Sequence, residues 1–455
     1  MTECNQSTFE FAPHFSRQVL ARFDGGIMTS DGGGLLLRET DQRLNLLSRL
    51  GQCFLDARHP ALVQHSVQEL VSQRVYGLAL GYEDLNDHEQ LRHDPLLRVM
   101  AGKREVEDRP LAGKSTLNRL ELSDGTPSRY KKITYWKTAL DELLVDVFVE
   151  AHERAPEQIV LDVDTTDLPL HGQQEGRFFH GYYDHYCYLP LYVFCGEHVL
   201  GARLRLANSD AAAGSVAEIQ RIVGQIRAAW PQVKIILRGD SGFCRNELMS
   251  WCESHQVEYV FGLARNQRLR KILGRSLQQA RELWEQSGKP GRVFAEFDYR
   301  TKKSWSRARR VVAKAEHLDG KENPRYVVTS LTAESGTAQK LYEELYCARG
   351  DMENRIKEQF CLFADRVSAE TMRANQLRLY LSAMAYVLLC GLRRLGLRGT
   401  ELAQAQVPTI RTRLLKIGAL IRVSVRRVRL SWAASYPWVP LFTQVHANLR
   451  ALVPS

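Results

Sequence analysis

The run Ile159-Val160-Leu161-Asp162-Val163-Asp164 constrains this chain more than any other segment. Its β-branched and apolar residues read as a strand, and its acids fall at the C-terminal end, where a strand delivers side chains to a sheet edge. With a period of two, Asp162 and Asp164 share one face. A second run, Val233–Leu237, ends in Arg238-Gly239-Asp240, and chain order places it beside the first. Around these two the pattern predicts strands over Tyr186–Cys195 and His198–Ala207, joined at Gly196 as an antiparallel pair. It also predicts a helix capped by Asp210 and ending near Trp230, a helix from Asn246 to His255, and a strand over Val257–Leu263. The order is strand, strand, strand, helix, strand, helix, strand.

The flanks differ in character. Residues 1–155 read mainly as helices, with apolar residues at helical spacing in Leu62, Val63, Val67, Leu70 and Val71 and again from Trp136 to Val147, and with Asp84, Ser115 and Thr116 as N-caps. Residues 290–331 alternate like an inserted antiparallel sheet, and helix returns from Gln339. Residues 156–289 and 332–400 are therefore expected to form one α/β core, 290–331 a β-rich insertion, and 401–455 a basic segment ending in an edge strand or hairpin with a bulge near Arg426-Arg427.

Charge has a place as well as a size. The chain of 455 residues carries a net charge of +10, and residues 402–455 hold eight Lys/Arg and no acid. The stretch Arg300–Lys314 adds seven Lys/Arg, again without an acid. Such tracks point to a polyanion, most often nucleic acid. With 44% hydrophobic residues the chain is not disordered. The nine cysteines, Cys4 among them, form no C-x-x-C pair and read as reduced thiols of a cytoplasmic protein. The longest uncharged stretch, Leu379–Leu392, is too short for a bilayer, and no secretory signal is expected, so no membrane partner is expected either.

A third acid completes a constellation. In the segment from Tyr346 to Lys357, spacings of three, four and four put Tyr346, Arg349, Glu353 and Lys357 on one helical stripe. Asp162 or Asp164, Asp240 and Glu353 can together hold two Mg²⁺ ions about 3.5 to 4 Å apart, the arrangement that activates a water or a DNA 3′-hydroxyl for in-line phosphoryl transfer.

With these residues in place, the chain resembles bacterial insertion-sequence DDE transposases. Its element order is that of their RNase H-like (retroviral integrase-like) core, a mixed α/β fold with a β-rich insertion and a helical N-terminal DNA-binding region. Arg238-Gly239-Asp240-Ser241-Gly242-Phe243 and the Tyr346, Arg349, Glu353 run look like the group marked by Tyr, Arg, Glu and Lys. Phe23-Asp24-Gly25-Gly26, Thr29-Ser30-Asp31-Gly32-Gly33, Leu35-Leu36-Leu37-Arg38-Glu39 and Ser115-Thr116-Leu117-Asn118-Arg119 resemble one family within it, the IS1380 type.

The resemblance implies that Asp164, Asp240 and Glu353 are the catalytic, metal-binding triad. Asp164 is preferred because it begins an Asp-x-Thr run, and Asp162 is the second choice. The family's usual Lys position is Phe360 here, so Lys357 stands in from the neighbouring turn. Tyr346, Arg349 and Lys357 are implied DNA contacts, as are Lys302, Lys303, Arg307, Arg309 and Arg310, with Trp305 stacking on an exposed base, and Arg426, Arg427 and Arg429 in the tail. The implied partners are the terminal inverted repeats, target DNA and a second copy of the chain in a synaptic dimer. The implied cofactor is Mg²⁺, two ions, with Mn²⁺ able to substitute.

Blander readings exist for each feature. Gly239-Asp240-Ser241-Gly242 without a matching His is no trypsin-like nucleophile segment, and Gly113-Lys114-Ser115 lacks the upstream Gly of a phosphate loop, Asp108 standing there. His171, His180, His185 and Asp184 fit no closed zinc spacing and read as a DNA-contacting or solvated loop. Arg300–Lys314 alone would be an edge strand blunted by charge. A nuclease without strand transfer, or a silent transposase-derived DNA-binding protein, are the alternatives to transposition.

Overall fold

The computed structural model describes residues 8–103 and 109–451, so Cys4 and Asp108 lie outside the described residues. It divides into two units: one takes the described residues up to Glu121, Thr126–Thr134 and those from Met384 on, the other Leu122–Gly125 and Tyr135–Ala383.

In the second unit the first acidic run becomes β1 (Gln158–Thr165). β2 (Leu191–Cys195) and β3 (His198–Arg203) follow it antiparallel, the predicted long strands being broken at Leu189-Pro190 and shortened after Arg203. Then come α1 (Ser215–Ala229), β4 (Lys234–Gly239), α2 (Asn246–Ser254) and β5 (Glu258–Leu263). α1 starts later than predicted because the left-handed Gly214 sets its entry, while Asp210 instead caps a turn through Ala212 N–H and pairs with Arg245. β4 and β5 add parallel to β1, giving the order β3-β2-β1-β4-β5. Both faces are covered: Leu161, Val163, Ile235 and Leu237 enter one core, and Ile236 and Val260 the other. This explains why the runs are apolar throughout rather than alternating.

The stretch expected as a separate sheet continues this one. After α3 (Gly274–Ser287), β6 (Gly291–Tyr299), β7 (Arg309–Leu318) and β8 (Arg325–Thr329) are antiparallel as predicted, but β8 pairs with β5, so all belong to one nine-stranded sheet. Tyr326 and Val328 enter one core and Val327 the other, a two-sided burial that an isolated surface sheet could not provide.

Two expectations about this stretch are corrected. Trp305 is not a free stacking platform, since it is 4% exposed and packs edge-on against Tyr299 in the core. Arg309 is buried, its guanidinium donating to both Glu253 carboxylate oxygens at 2.7 and 3.1 Å, to Asn246 and to Ser250. A buried Arg held by a carboxylate is a strut, and no polyanion reaches it.

The chain then passes through a π-helical turn (Leu341–Tyr346) and a 3₁₀ turn (Cys347–Arg349) into α4 (Gly350–Phe360) and on to α5 (Met372–Leu395). Among the described residues no helix is long and apolar enough to cross a membrane.

The first unit is helical but not only so. Its helices include Leu35–Leu44, Lys114–Glu121, which contains Ser115 and Thr116 rather than being capped by them, and Val67–Leu80, capped by Ser66 and Glu69 in a capping box. It also holds hairpin strands Phe9–His14 and Arg17–Ala21. The tail, expected as a region of its own, folds with the N-terminal segment. Strands Ala419–Ser424 and Arg427–Trp432 pair in unbroken register across a two-residue turn, without the expected bulge, and Met28–Thr29 adds to their edge. A Cβ on Gly33 would lie 1.7 Å from the Leu414 carbonyl oxygen, and Asp31 pairs with Lys416 at 2.6 Å. The Asp31-Gly32-Gly33 motif is thus the seat of the C-terminal segment.

Candidate active site

Register brings the acids together. Arg238 lies opposite Asp162 and Gly239 opposite Val163, so Asp240 leaves β4 level with Asp164 on β1. Asp162 is engaged by its neighbour: Arg238 Nε and Nη2 donate to its two oxygens at 2.5 and 2.7 Å, and the same guanidinium donates to the Leu345 carbonyl. Arg238 therefore ties β1, β4 and the π-helical turn into one block. Of the two candidates for the first acid, Asp164 alone faces the other acids.

Asp164 Oδ1 accepts from the Thr165 N–H at 2.9 Å, and its Oδ2 accepts from Arg349 Nη1 at 2.8 Å. Arg349 Nη2 reaches Glu353 Oε1 at 3.3 Å, so one guanidinium spans two of the acids. Asp240 Oδ1 accepts from the Gly242 N–H at 2.8 Å and caps the turn Ser241–Phe243. Burial first, then the negative charges of Asp240 and Glu353, push the Asp164 carboxyl up to about 6 against the opposing pull of Arg349. Burial alone would lower the Arg349 guanidinium, but Asp164, Tyr346, Asp240 and Glu353 around it hold it above its usual value. Hydrogen bonds thus join Asp164, Arg349 and Glu353, and the charges of Asp240 and Tyr346 bear on the same guanidinium.

Tyr346 reaches the cluster through a missing side chain. A Cβ on Gly262 of β5 would lie 2.6 Å from the Tyr346 hydroxyl and 3.0 Å from the Ser241 N. Only glycine lets the phenol lie across the sheet toward Asp240, and nothing in the sequence pattern marked Gly262 for this. Burial, with Asp240 adding and Arg349 opposing, raises the Tyr346 phenol. Lys357, one turn beyond Glu353, is exposed.

Three carboxylates are the hard oxygen donors that a divalent cation prefers. Among the described residues no three His, Cys, Asp or Glu side chains are gathered into a group that could hold a metal, and the positive charge among these acids is Arg349. Among the histidines after β1, His185 Nε2 lies within hydrogen-bond distance of Asp167 Oδ2, at 2.8 Å.

The basic tracks divide. Lys302 and Lys303 are exposed at the β6–β7 connection, and Arg307 is exposed with Glu253 3.1 Å away. Arg310 is held by Glu296 and the Leu331 carbonyl. In the first unit Arg426, Arg427 and Arg429 are all exposed on the C-terminal hairpin, with Arg422 facing Arg429 across the strands.

A family model described as transposase DDE domain group 1 matches residues 11–454. Among solved structures, a piggyBac transposase synaptic complex with hairpin DNA is similar at 10% identity and a TM-score of 0.39, covering 94% of this chain and 83% of that one. No curated protein matches the chain.

Proposed function

The chain belongs to the DDE transposase family, matching transposase DDE domain group 1 over residues 11–454, and from that premise we propose that it mobilises an insertion sequence of the IS1380 type by cutting and joining DNA at terminal inverted repeats. The core is read as RNase H-like, supported by the strand order β3-β2-β1-β4-β5 with acids at the ends of β1 and β4. The observation that carries the reading is Arg349 spanning Asp164 and Glu353 while Asp240 stands level with Asp164.

In this reading Asp164, Asp240 and Glu353 hold Mg²⁺, or Mn²⁺ in its place. Bound there, the two ions would supply Lewis-acid activation of a water or 3′-hydroxyl and charge neutralisation at the leaving oxygen. Arg349 turns from the carboxylates to a DNA phosphate, which presents the same paired oxygen acceptors. The Tyr346 hydroxyl, fixed over Gly262, donates to a neighbouring phosphate, and Lys357 adds charge from the next turn. Lys302, Lys303, Arg307, Arg310, Arg426, Arg427 and Arg429 track the backbone without reading bases. The N-terminal region reads the repeats, and two copies bring two ends together. The core proposed is 156–289 and 332–400, with 290–331 extending its sheet and with 1–155 and 401–455 acting together.

Asp240→Ala and Glu353→Ala should each abolish cleavage and strand transfer while leaving end binding largely intact. Full cleavage by either variant would overturn the assignment.

A further inference from the structure

A cleft of about 830 Å³, lined by Arg265, Asn266, Gln267, Arg270, Lys321 and Tyr326, opens at the sheet edge that carries the acids. β5 runs parallel to β4 and β1, so its C-terminal end lies at the same edge as Asp240 and Asp164. Arg265 follows that end, and Leu263 pairs with Tyr326 at the start of β8. Tyr326 enters the core on the α3 side of the sheet, whereas Tyr346 packs on the other side. A polyanion following this edge therefore meets the acids first and the cleft after it rounds the sheet.

The cleft has an unanswered donor. Tyr326 is 3% exposed, and its hydroxyl has no hydrogen-bond partner among the described residues. Tyr326 lines the cleft together with Arg270 and Glu322. Arg270 is held by Glu322 at 2.7 Å. Arg265 and Lys321 are exposed and make no ion pair among the described residues. The charged lining is cationic apart from Glu322, and the free hydroxyl is one more donor, which excludes a metal cation and favours an anion rich in acceptor oxygens. The volume is that of a nucleotide-sized group rather than a lone ion.

We propose that this cleft binds a backbone phosphodiester of the DNA strand that leaves the acidic centre, with Tyr326, Arg265 and Lys321 donating to its oxygens. The proposal rests on the transposase reading above and extends it, placing an anchor that the motif residues do not include. Because its donors meet phosphate and not base edges, the anchor fixes the position of the strand and is indifferent to sequence.

The test is fluorescence anisotropy of the full chain on labelled duplex DNA over a series of salt concentrations. Replacing Arg265 and Lys321 together by Ala should weaken binding at least tenfold and lower the salt slope by about two. Tyr326→Phe, which keeps the buried ring, should weaken binding severalfold with the slope unchanged and without loss of melting temperature. A second arm measures protection from thermal unfolding by inorganic phosphate. If the double variant loses the response to phosphate yet binds DNA as the parent does, the cleft takes a small anion and the proposal is overturned. Unchanged affinity and slope in both variants would overturn it alone, since the parent would still bind and cut DNA. Failure of the parent to bind DNA would overturn the transposase reading and this proposal together.

Discussion

Arg238 grips both carboxylate oxygens of Asp162 from the neighbouring strand, at 2.5 and 2.7 Å. The pair is buried, with side-chain exposures of 9% and 7%. Breaking one side of a buried pair leaves the other charge without a partner in a low-dielectric site, at a cost of about 3–5 kcal/mol. Asp162→Ala should therefore lower the melting temperature strongly, and any lost activity should follow the lost fold. Asp162→Ala at full stability but without cleavage would mark Asp162 as a reacting group.

Asp164 should behave in the opposite sense. Its carboxyl sits at about 6 in the folded chain against an ordinary value of 3.8, chiefly through burial. The folded state therefore binds more protons between those values, and stability falls as pH rises through that window, the full penalty remaining above it. Asp164→Asn should raise stability near pH 7.5 by up to about 3 kcal/mol and change it little below pH 4. Thermal melts at the two pH values check this. Equal destabilisation at both would show that the Arg349 contact matters more than the crowded charge.

Much of this was legible in the sequence. The acidic strand ends and the element order follow from local periodicity, and the structure joins Asp164 and Glu353 through Arg349 with Asp240 level with Asp164. Where pairing across the sequence decides, the pattern was silent. Asp162 and Asp164 are alike by alternation, and only Arg238, a strand away, tells them apart. Arg309 and Trp305 sit in a basic run that looks solvated, but Glu253 and Tyr299, distant in sequence, draw them inside. Ser66-Val67-Gln68-Glu69 is a capping box that could have been read from the sequence directly.

That burial predicts a separation of effects within the basic run. Trp305→Ala should cost about 3–5 kcal/mol of stability, as large-to-small changes in a core do. Lys302→Ala with Lys303→Ala should leave melting unchanged and weaken DNA binding at low salt. Unaltered stability in Trp305→Ala would contradict the packing against Tyr299.

Gly262 offers a steric switch for Tyr346. Gly262→Ala would set a methyl 2.6 Å from the phenol oxygen and force it from its place. Cleavage should fall at least tenfold, and Gly262→Ala combined with Tyr346→Phe should be no worse than Tyr346→Phe alone. Additive losses would show that the glycine serves the Ser241 turn instead.

The exposed arginines of the C-terminal hairpin should act only through charge. Replacing Arg426, Arg427 and Arg429 should weaken DNA binding across sequences and flatten its salt dependence. An unchanged slope would show that this hairpin faces away from DNA.

The proposed role of Asp164, Asp240 and Glu353 is that of one reacting centre. It is tested most directly by single-turnover cleavage of terminal-repeat DNA in Mg²⁺ by Asp164→Asn, Asp240→Asn and Glu353→Gln, each first shown to be folded and to bind the repeat. All three should lose cleavage by a thousandfold or more with binding retained. Cleavage at the parental rate by any one of them would contradict it.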